Sequence, residues 1–176
     1  WSRTDQVKRW DRTAYFVDKT LDFLKRHKGE PCFVNLWPDD MHTPWVPSQK
    51  TMDSERTSWT TPPNFKEVLT EYDKQIGRLM EGLTKLGLEK NTIVIFTSDN
   101  GPHREGGANP DYFRSYGPLK GVKRDVYEGG IRVPMIAWGP EMIKAGVKSE
   151  HISAFWDVMP TLAELTGVTL PQAGDG

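Results

Sequence analysis

The sequence has a single cysteine, almost no net charge and no long apolar run. One cysteine, Cys32, excludes a disulfide bond within the chain but does not identify the redox compartment. Lysine and arginine total 23 and aspartate and glutamate total 24. The formal charge of −1 therefore gives no sign of a nucleic-acid-binding or membrane-surface protein. No apolar segment is long enough to span a bilayer.

The chain begins with Trp1 rather than methionine, and we expect it to be a piece of a longer protein. Its 176 residues are enough for a domain with its own core. Apolar residues recur at helical spacing in three segments, which predicts helices over residues 13–27, 64–87 and 157–165.

Short apolar runs, by contrast, predict strands over residues 32–37, 92–98 and 133–138, with a further short strand over 151–155. The run at 92–98 is typical of a strand that is buried on both faces of an open parallel sheet. Cys32 is expected to be a buried apolar residue of the first strand. The alternation of helices and strands predicts an α/β sheet with covering helices.

Polar residues follow two of the predicted strands. Asp99, Asn100 and Gly101 come directly after the strand at 92–98, and open parallel sheets bind ligands at this end of their strands. A carboxylate and an amide suit a hard cation such as Ca²⁺ or Mg²⁺. The alternative is that the three residues only turn the chain.

His42 follows the strand predicted at 32–37. An imidazole titrates near neutral pH and can transfer a proton or donate to an oxyanion. A purely structural role for this histidine is the alternative.

The connection over residues 101–130 is rich in glycine and has no strong periodicity. Long connections of this kind within a domain are often functional, and their glycines let the backbone approach a ligand closely. Its cationic groups could bind an oxyanion. A solvated basic loop is the alternative.

Two motifs stand out in this part of the chain, Phe96-Thr-Ser-Asp-Asn-Gly-Pro102 and Leu119-Lys-Gly-Val-Lys-Arg-Asp-Val-Tyr-Glu-Gly-Gly-Ile-Arg-Val-Pro134. They resemble the formylglycine-dependent sulfatases of the arylsulfatase A type, and the resemblance extends over nearly the whole chain. It implies an alkaline-phosphatase-like α/β fold and hydrolysis of sulfate esters.

The resemblance also implies roles for individual residues. Asp99 and Asn100 correspond to two ligands of the active-site cation, usually Ca²⁺, with Mg²⁺ as the alternative. Lys123 corresponds to the lysine that contacts the sulfate. His42 corresponds to the histidine that contacts the sulfate or ester oxygen and protonates the leaving group.

Other residues of the connection take lesser roles. His103 and Lys120 are candidates for the pocket lining, and the Glu128–Arg132 turn is interpreted as structural.

The nucleophile of this family is absent from the 176 residues. The family makes formylglycine from a cysteine in a Cys-x-Pro/Ala-Ser-x-Arg motif, and Cys32 lacks the downstream serine and arginine. We therefore expect a partial sulfatase catalytic domain, without its N-terminal nucleophile-bearing half and its C-terminal subdomain, that is inactive alone.

The expected partners are a sulfate ester of a sugar or an aryl alcohol and, along an open sheet edge, the missing half or another copy of the chain. Two alternative functions stay open. One is a phosphate-ester metalloenzyme of the same superfamily, and the other is a non-catalytic oxyanion-binding domain.

Overall fold

The computed structural model describes residues 6–48, 50 and 61–170. The chain divides into two compact units, Trp1–Ile143 and Lys144–Gly176. The first unit contains long helices and a two-stranded sheet, and the described part of the second unit contains one α-helix. No helix in the described part combines the length and apolarity that crossing a bilayer requires.

The first unit contains two long helices, and both confirm the sequence prediction. A 3-10 turn over Arg9–Asp11 leads into α1, Arg12–Arg26, and α2 spans Pro62–Leu86. The Thr61 side chain accepts a hydrogen bond from the Asn64 N–H at 3.4 Å, and prolines fill the first helical positions of α2. Gly87 ends α2 at φ 68°, a left-handed conformation that glycine adopts without strain.

Helices α1 and α2 pack against each other. Val17 of α1 and Leu83 of α2 are buried, and Gly82 faces Leu21 so closely that a Cβ atom at this glycine would overlap the end of the leucine side chain. The lack of a side chain at Gly82 therefore lets the two helices approach.

The sheet consists of two antiparallel strands. β1 is Val94–Thr97 and β2 is Met135–Trp138, with Val94 opposite Trp138 and Thr97 opposite Met135. The two strands lie where apolar runs predicted them, but the expectation of parallel strands is wrong for this pair. The expectation of burial on both faces is also wrong, because Ile95 and Phe96 of β1 are 45% and 37% exposed.

The strand predicted at 32–37 does not form, and this prediction is wrong. The only sheet in the described residues is the β1–β2 pair, so the segment has no neighbouring strand with which to form hydrogen bonds. Phe33 and Trp37 are exposed. Cys32 is exposed as well, which corrects its predicted burial.

The connection 101–130 is largely irregular, as predicted, but includes short helical turns. These are a 3-10 turn over Glu105–Gly107 and the one-turn helix α3 over Pro110–Phe113. A second one-turn helix, α4 over Glu128–Ile131, begins at the end of the connection.

In the second unit, a 3-10 turn over Phe155–Asp157 leads into α5, Val158–Thr166, which confirms the predicted helix. Residues 151–154 are irregular, so the short strand predicted over 151–155 is wrong.

A small apolar core of the first unit fixes the segment around His42. Trp45, Val68 and Ala108 are buried together, with Met41 and Phe65 packed against them. This cluster joins the His42 segment, α2 and the connection 101–130, so it holds the three parts of the chain that border the candidate site.

Two glycines of α2 should respond differently to alanine. Gly77 is exposed, and a methyl group added there would have no neighbour within 4 Å, so Gly77→Ala is expected to raise the free energy of unfolding by about 1 kcal/mol. Gly82→Ala should lose this gain, because the new methyl group must displace Leu21. Urea unfolding of both variants tests this, and equal stabilisation would contradict the packing described.

Candidate functional site

The segment that carries His42 is fixed by Arg9, which lies just before α1. The Arg9 guanidinium donates to the Asp39 carboxylate at 2.9 Å and to the carbonyl oxygens of Asp39, His42 and Pro44 at 2.9, 2.5 and 2.8 Å. Arg12 donates to the same carboxylate oxygen of Asp39 at 2.8 Å. Backbone atoms on both sides of the His42 side chain are therefore held to the start of α1.

Asp40 faces α1 rather than the candidate site. Its buried carboxylate accepts a hydrogen bond from the Thr13 hydroxyl. Burial raises the pKa of Asp40, and the neighbouring charge of Asp39 adds to the effect, although the Thr13 hydrogen bond opposes it. These contacts give Asp40 a role in the packing of α1.

His42 and His103 form a stacked pair. Their ring centroids lie 4.9 Å apart, and the ring planes differ by 20°. His103 Nδ1 accepts a hydrogen bond from the Glu105 N–H at 3.1 Å. Burial, followed by the charge of His42, lowers the pKa of His103, so the structure favours a neutral His103 whose proton is on Nε2.

The two ring nitrogens of His42 face different groups. Nδ1 lies 2.8 Å from the Thr43 carbonyl oxygen, which assigns a proton to Nδ1. Nε2 lies 3.1 Å from Glu105 Oε2. The backbone contact thus orients the ring and leaves Nε2 directed at the charged groups of the site.

Three potentially cationic groups converge on the Glu105 carboxylate. Besides His42 Nε2, these are Lys123 Nζ, 3.5 Å from Oε2, and an Arg124 guanidinium nitrogen, 2.7 Å from Oε1. Partial burial of Glu105 works against its charge, but Lys123 and Arg124 outweigh it and lower the pKa of Glu105. The carboxylate therefore stays ionised at neutral pH.

A cavity of about 350 Å³ adjoins this cluster, and its lining is made of His103, Arg104, Glu105, Val122, Lys123 and Arg124. Its volume is that of a small-molecule site. Positive charge predominates in the lining, so the cavity suits an anion.

The turn after β1 and the segment that carries Lys123 are joined through their backbones. Lys123 N–H donates to the Pro102 carbonyl at 2.8 Å, and Gly101 N–H donates to the Gly130 carbonyl at 2.9 Å. A Cβ atom at Gly101 would collide with the Gly129 carbonyl oxygen, so only glycine permits this approach.

A family model described as Sulfatase matches residues 3–168 of the chain. The chain belongs to the sulfatase family.

Several named sulfatases are similar in sequence. The N-acetylgalactosamine-6-sulfatase of Rattus norvegicus is 31% identical over 167 residues, which are 91% of this chain and 30% of that protein. The N-acetylgalactosamine-6-O-sulfatase of Bacteroides thetaiotaomicron is 32% identical over 168 residues, or 92% of this chain and 32% of that protein. The steryl-sulfatase of Rattus norvegicus is 34% identical over 161 residues, which are 90% of this chain and 27% of that protein.

Solved structures agree with these matches. A structure from work on glycosaminoglycan metabolism by Bacteroides thetaiotaomicron matches with a TM-score of 0.77 and 29% identity. The match covers 95% of this chain and 35% of the chain in that structure. Ps i-CgsB in complex with k-i-k-neocarrahexaose matches with a TM-score of 0.74 and 28% identity. The match covers 91% of this chain and 35% of that protein. The likeness confirms an alkaline-phosphatase-like α/β fold, present in part. The chain spans about a third of the length of these relatives.

Among the predicted site residues of this sulfatase chain, the structure brings His42, His103 and Lys123 into one cluster. Lys120 lies apart from the cavity lining, with its ammonium 3.9 Å from the centroid of the Tyr127 ring. The Glu128–Arg132 turn closes with an ion pair of 3.5 Å between its two end residues. The catalytic and binding roles of these residues stay predictions.

Asp99 and Asn100 lie just past the carboxyl end of β1, where the sequence places them. Asn100 Nδ2 donates to the Gly101 carbonyl at 2.8 Å, and the Ser98 hydroxyl donates to the Asn100 carbonyl at 3.0 Å. Among the described residues, no group of three His, Cys, Asp or Glu side chains forms a metal-like cluster. The side-chain oxygens of Asp99 and Asn100 suit a hard cation, but such a cation needs more oxygen ligands than these two residues supply.

Sequence reasoning missed the contributions of Arg9, Arg12 and Glu105. Arg9 and Arg12 lie in a polar segment without periodicity, and nothing in it indicates a contact with Asp39. Glu105 is one of four acidic residues in the connection 101–130, and nothing in the local sequence distinguishes it from the other three.

Replacing Arg9 should destabilise the His42 segment. Arg9→Met removes the donors to three carbonyl oxygens and to Asp39, and we expect the free energy of unfolding to fall by about 2–3 kcal/mol. Urea unfolding followed by tryptophan fluorescence measures the change. Arg26→Met, an exposed position in the last turn of α1, is the matched control and should change stability by less than about 0.5 kcal/mol. Equal effects of the two substitutions would contradict the role of Arg9.

Proposed function

We propose that this chain supplies the sulfate-binding side of the active site of a sulfuric ester hydrolase. The observation that carries the proposal is the convergence of His42, Lys123 and Arg124 on one carboxylate, from segments that are far apart in the sequence. A set of donors that holds a carboxylate this way can also hold the oxygens of a sulfate group.

In this proposal, Lys123 and His42 act at opposite ends of the breaking S–O bond. The ammonium of Lys123 neutralises charge on the non-bridging sulfate oxygens. His42 donates a proton from Nε2 to the leaving alcohol oxygen, because its Nδ1 is occupied by the Thr43 carbonyl. His103, neutral and stacked on His42, restricts the rotation of that ring.

We propose further that Asp99 and Asn100 are two ligands of a divalent cation, Ca²⁺ or alternatively Mg²⁺. Such a cation withdraws charge from the sulfate oxygens when it is bound. Ca²⁺ takes about six to eight oxygen ligands, so further donors must join these two. The formylglycine nucleophile of the family would likewise come from outside these 176 residues, which contain no Cys-x-Pro/Ala-Ser-x-Arg motif.

A sulfated sugar is the substrate class that the similarities favour. Relatives of this chain are named N-acetylgalactosamine-6-sulfatases, and one similar structure contains a neocarrahexaose. The names arylsulfatase and steryl-sulfatase among the relatives keep aryl and steryl sulfates as the alternative.

Methyl sulfate provides a direct probe of the proposed site. We expect it to shift the NMR signals of Lys123 and its neighbours, and we expect Lys123→Ala to weaken binding by about fivefold or more, through the loss of one ammonium contact. The control is Lys90→Ala. The ammonium of Lys90 pairs with Glu141 at 3.6 Å, and Lys90 does not line the cavity. Binding that Lys123→Ala leaves unchanged would refute the proposed role of the lysine.

The 176-residue chain by itself should not turn over sulfate esters. It lacks the nucleophile motif of the family, so 4-nitrophenyl sulfate in the presence of Ca²⁺ should be hydrolysed no faster than in buffer. The colour of 4-nitrophenol measures the rate. Hydrolysis at a rate usual for enzymes, about 1 s⁻¹ or faster, would show that another group in this chain serves as the nucleophile.

A further inference from the structure

Glu105 places a negative charge inside a cavity that otherwise favours anions. It is the one carboxylate in the described lining of the cavity, and its two oxygens face Lys123 and His42 on one side and Arg124 on the other. An incoming oxyanion that contacts these donors must therefore lie close to the Glu105 carboxylate.

The backbone of Glu105 is held in place by three hydrogen bonds. Its N–H donates to His103 Nδ1 at 3.1 Å, and its carbonyl accepts from the Thr43 hydroxyl at 3.3 Å and from the Ala108 N–H at 3.2 Å. Because the Thr43 bond ties this turn to the His42 segment and the other two bonds hold it locally, the backbone is fixed, and rotation of the Glu105 side chain is the available way to make room for an anion. The negative charge stays beside any ligand that enters.

Sulfate and phosphate monoesters have the same tetrahedral shape but differ in charge. A sulfate monoester carries one negative charge, whereas a phosphate monoester carries close to two above a pKa of about 6. The repulsion between a carboxylate and a ligand grows in proportion to the charge of the ligand. A carboxylate that stays beside the anion site therefore disfavours the dianion more than the monoanion.

We propose that Glu105 is a specificity-determining residue, whose carboxylate lowers the affinity of this cavity for dianionic phosphate esters more than its affinity for monoanionic sulfate esters. The inference rests on the proposed function, because it requires that the cavity binds the oxyanion of the substrate. The lowered pKa of Glu105 supports it, since the group stays charged over the pH range in which phosphate esters become dianions.

The test compares two small probes on the full chain at about pH 8, methyl sulfate and methyl phosphate, with binding followed by the NMR signals of Lys123 and Arg124. Glu105→Gln keeps the shape of the side chain and removes its charge. We expect it to strengthen the binding of methyl phosphate by about fivefold or more relative to methyl sulfate. The matched control, Glu141→Gln, lies outside the cavity lining and should leave the ratio of the two affinities unchanged.

The ratio separates a charge effect from loosening of the site. Loosening weakens both probes alike, so an unchanged ratio in Glu105→Gln would overturn the inference and leave the proposed function standing. Failure of both probes to bind the unaltered chain and both variants would overturn the proposed anion site, and this inference with it.

A second measurement repeats this comparison at lower pH. At about pH 5 methyl phosphate is a monoanion like methyl sulfate. The gain in relative affinity for methyl phosphate that Glu105→Gln brings should therefore shrink between pH 8 and pH 5. A gain that stays constant across this range would refute a discrimination based on charge.

Discussion

The hydrogen bond from Gly101 N–H to the Gly130 carbonyl is the contact on which the site depends. It joins the turn after β1 to the segment that leads directly into β2. Since β1 and β2 are antiparallel neighbours, the whole connection between them must return to the same end of the sheet. The absence of side chains at Gly101 and Gly129 permits the two backbones to meet there. The same approach lets the Lys123 N–H donate to the Pro102 carbonyl, which fixes the backbone of Lys123.

A second constraint acts on the other half of the site. Arg9 binds the carbonyl oxygens around His42, and the core formed by Trp45, Val68 and Ala108 holds the same segment against α2. The two constraints bring His42 and Lys123 to the same carboxylate oxygen of Glu105. Charges brought together in this partly buried setting interact more strongly than exposed ion pairs do, because less water separates them.

Local sequence patterns predicted the helices well and the sheet in part. Helices α1, α2 and α5 follow from apolar residues at helical spacing and from the glycines that end two of them. The apolar runs at β1 and β2 were informative because each has a partner strand. The equally apolar run at 32–37 was not, because strand formation requires a hydrogen-bonding neighbour that the run itself cannot specify.

The sequence by itself determined the family and the positions of the residues that resemble its site, because those residues lie mainly in two continuous motifs between 96 and 134. It also determined that the nucleophile motif is absent from these 176 residues. Tertiary structure alone decided that Arg9 holds the His42 segment and that Glu105 lies between His42, Lys123 and Arg124. Such contacts join side chains that are distant along the chain, and their formation depends on the folded path of the backbone rather than on any local pattern.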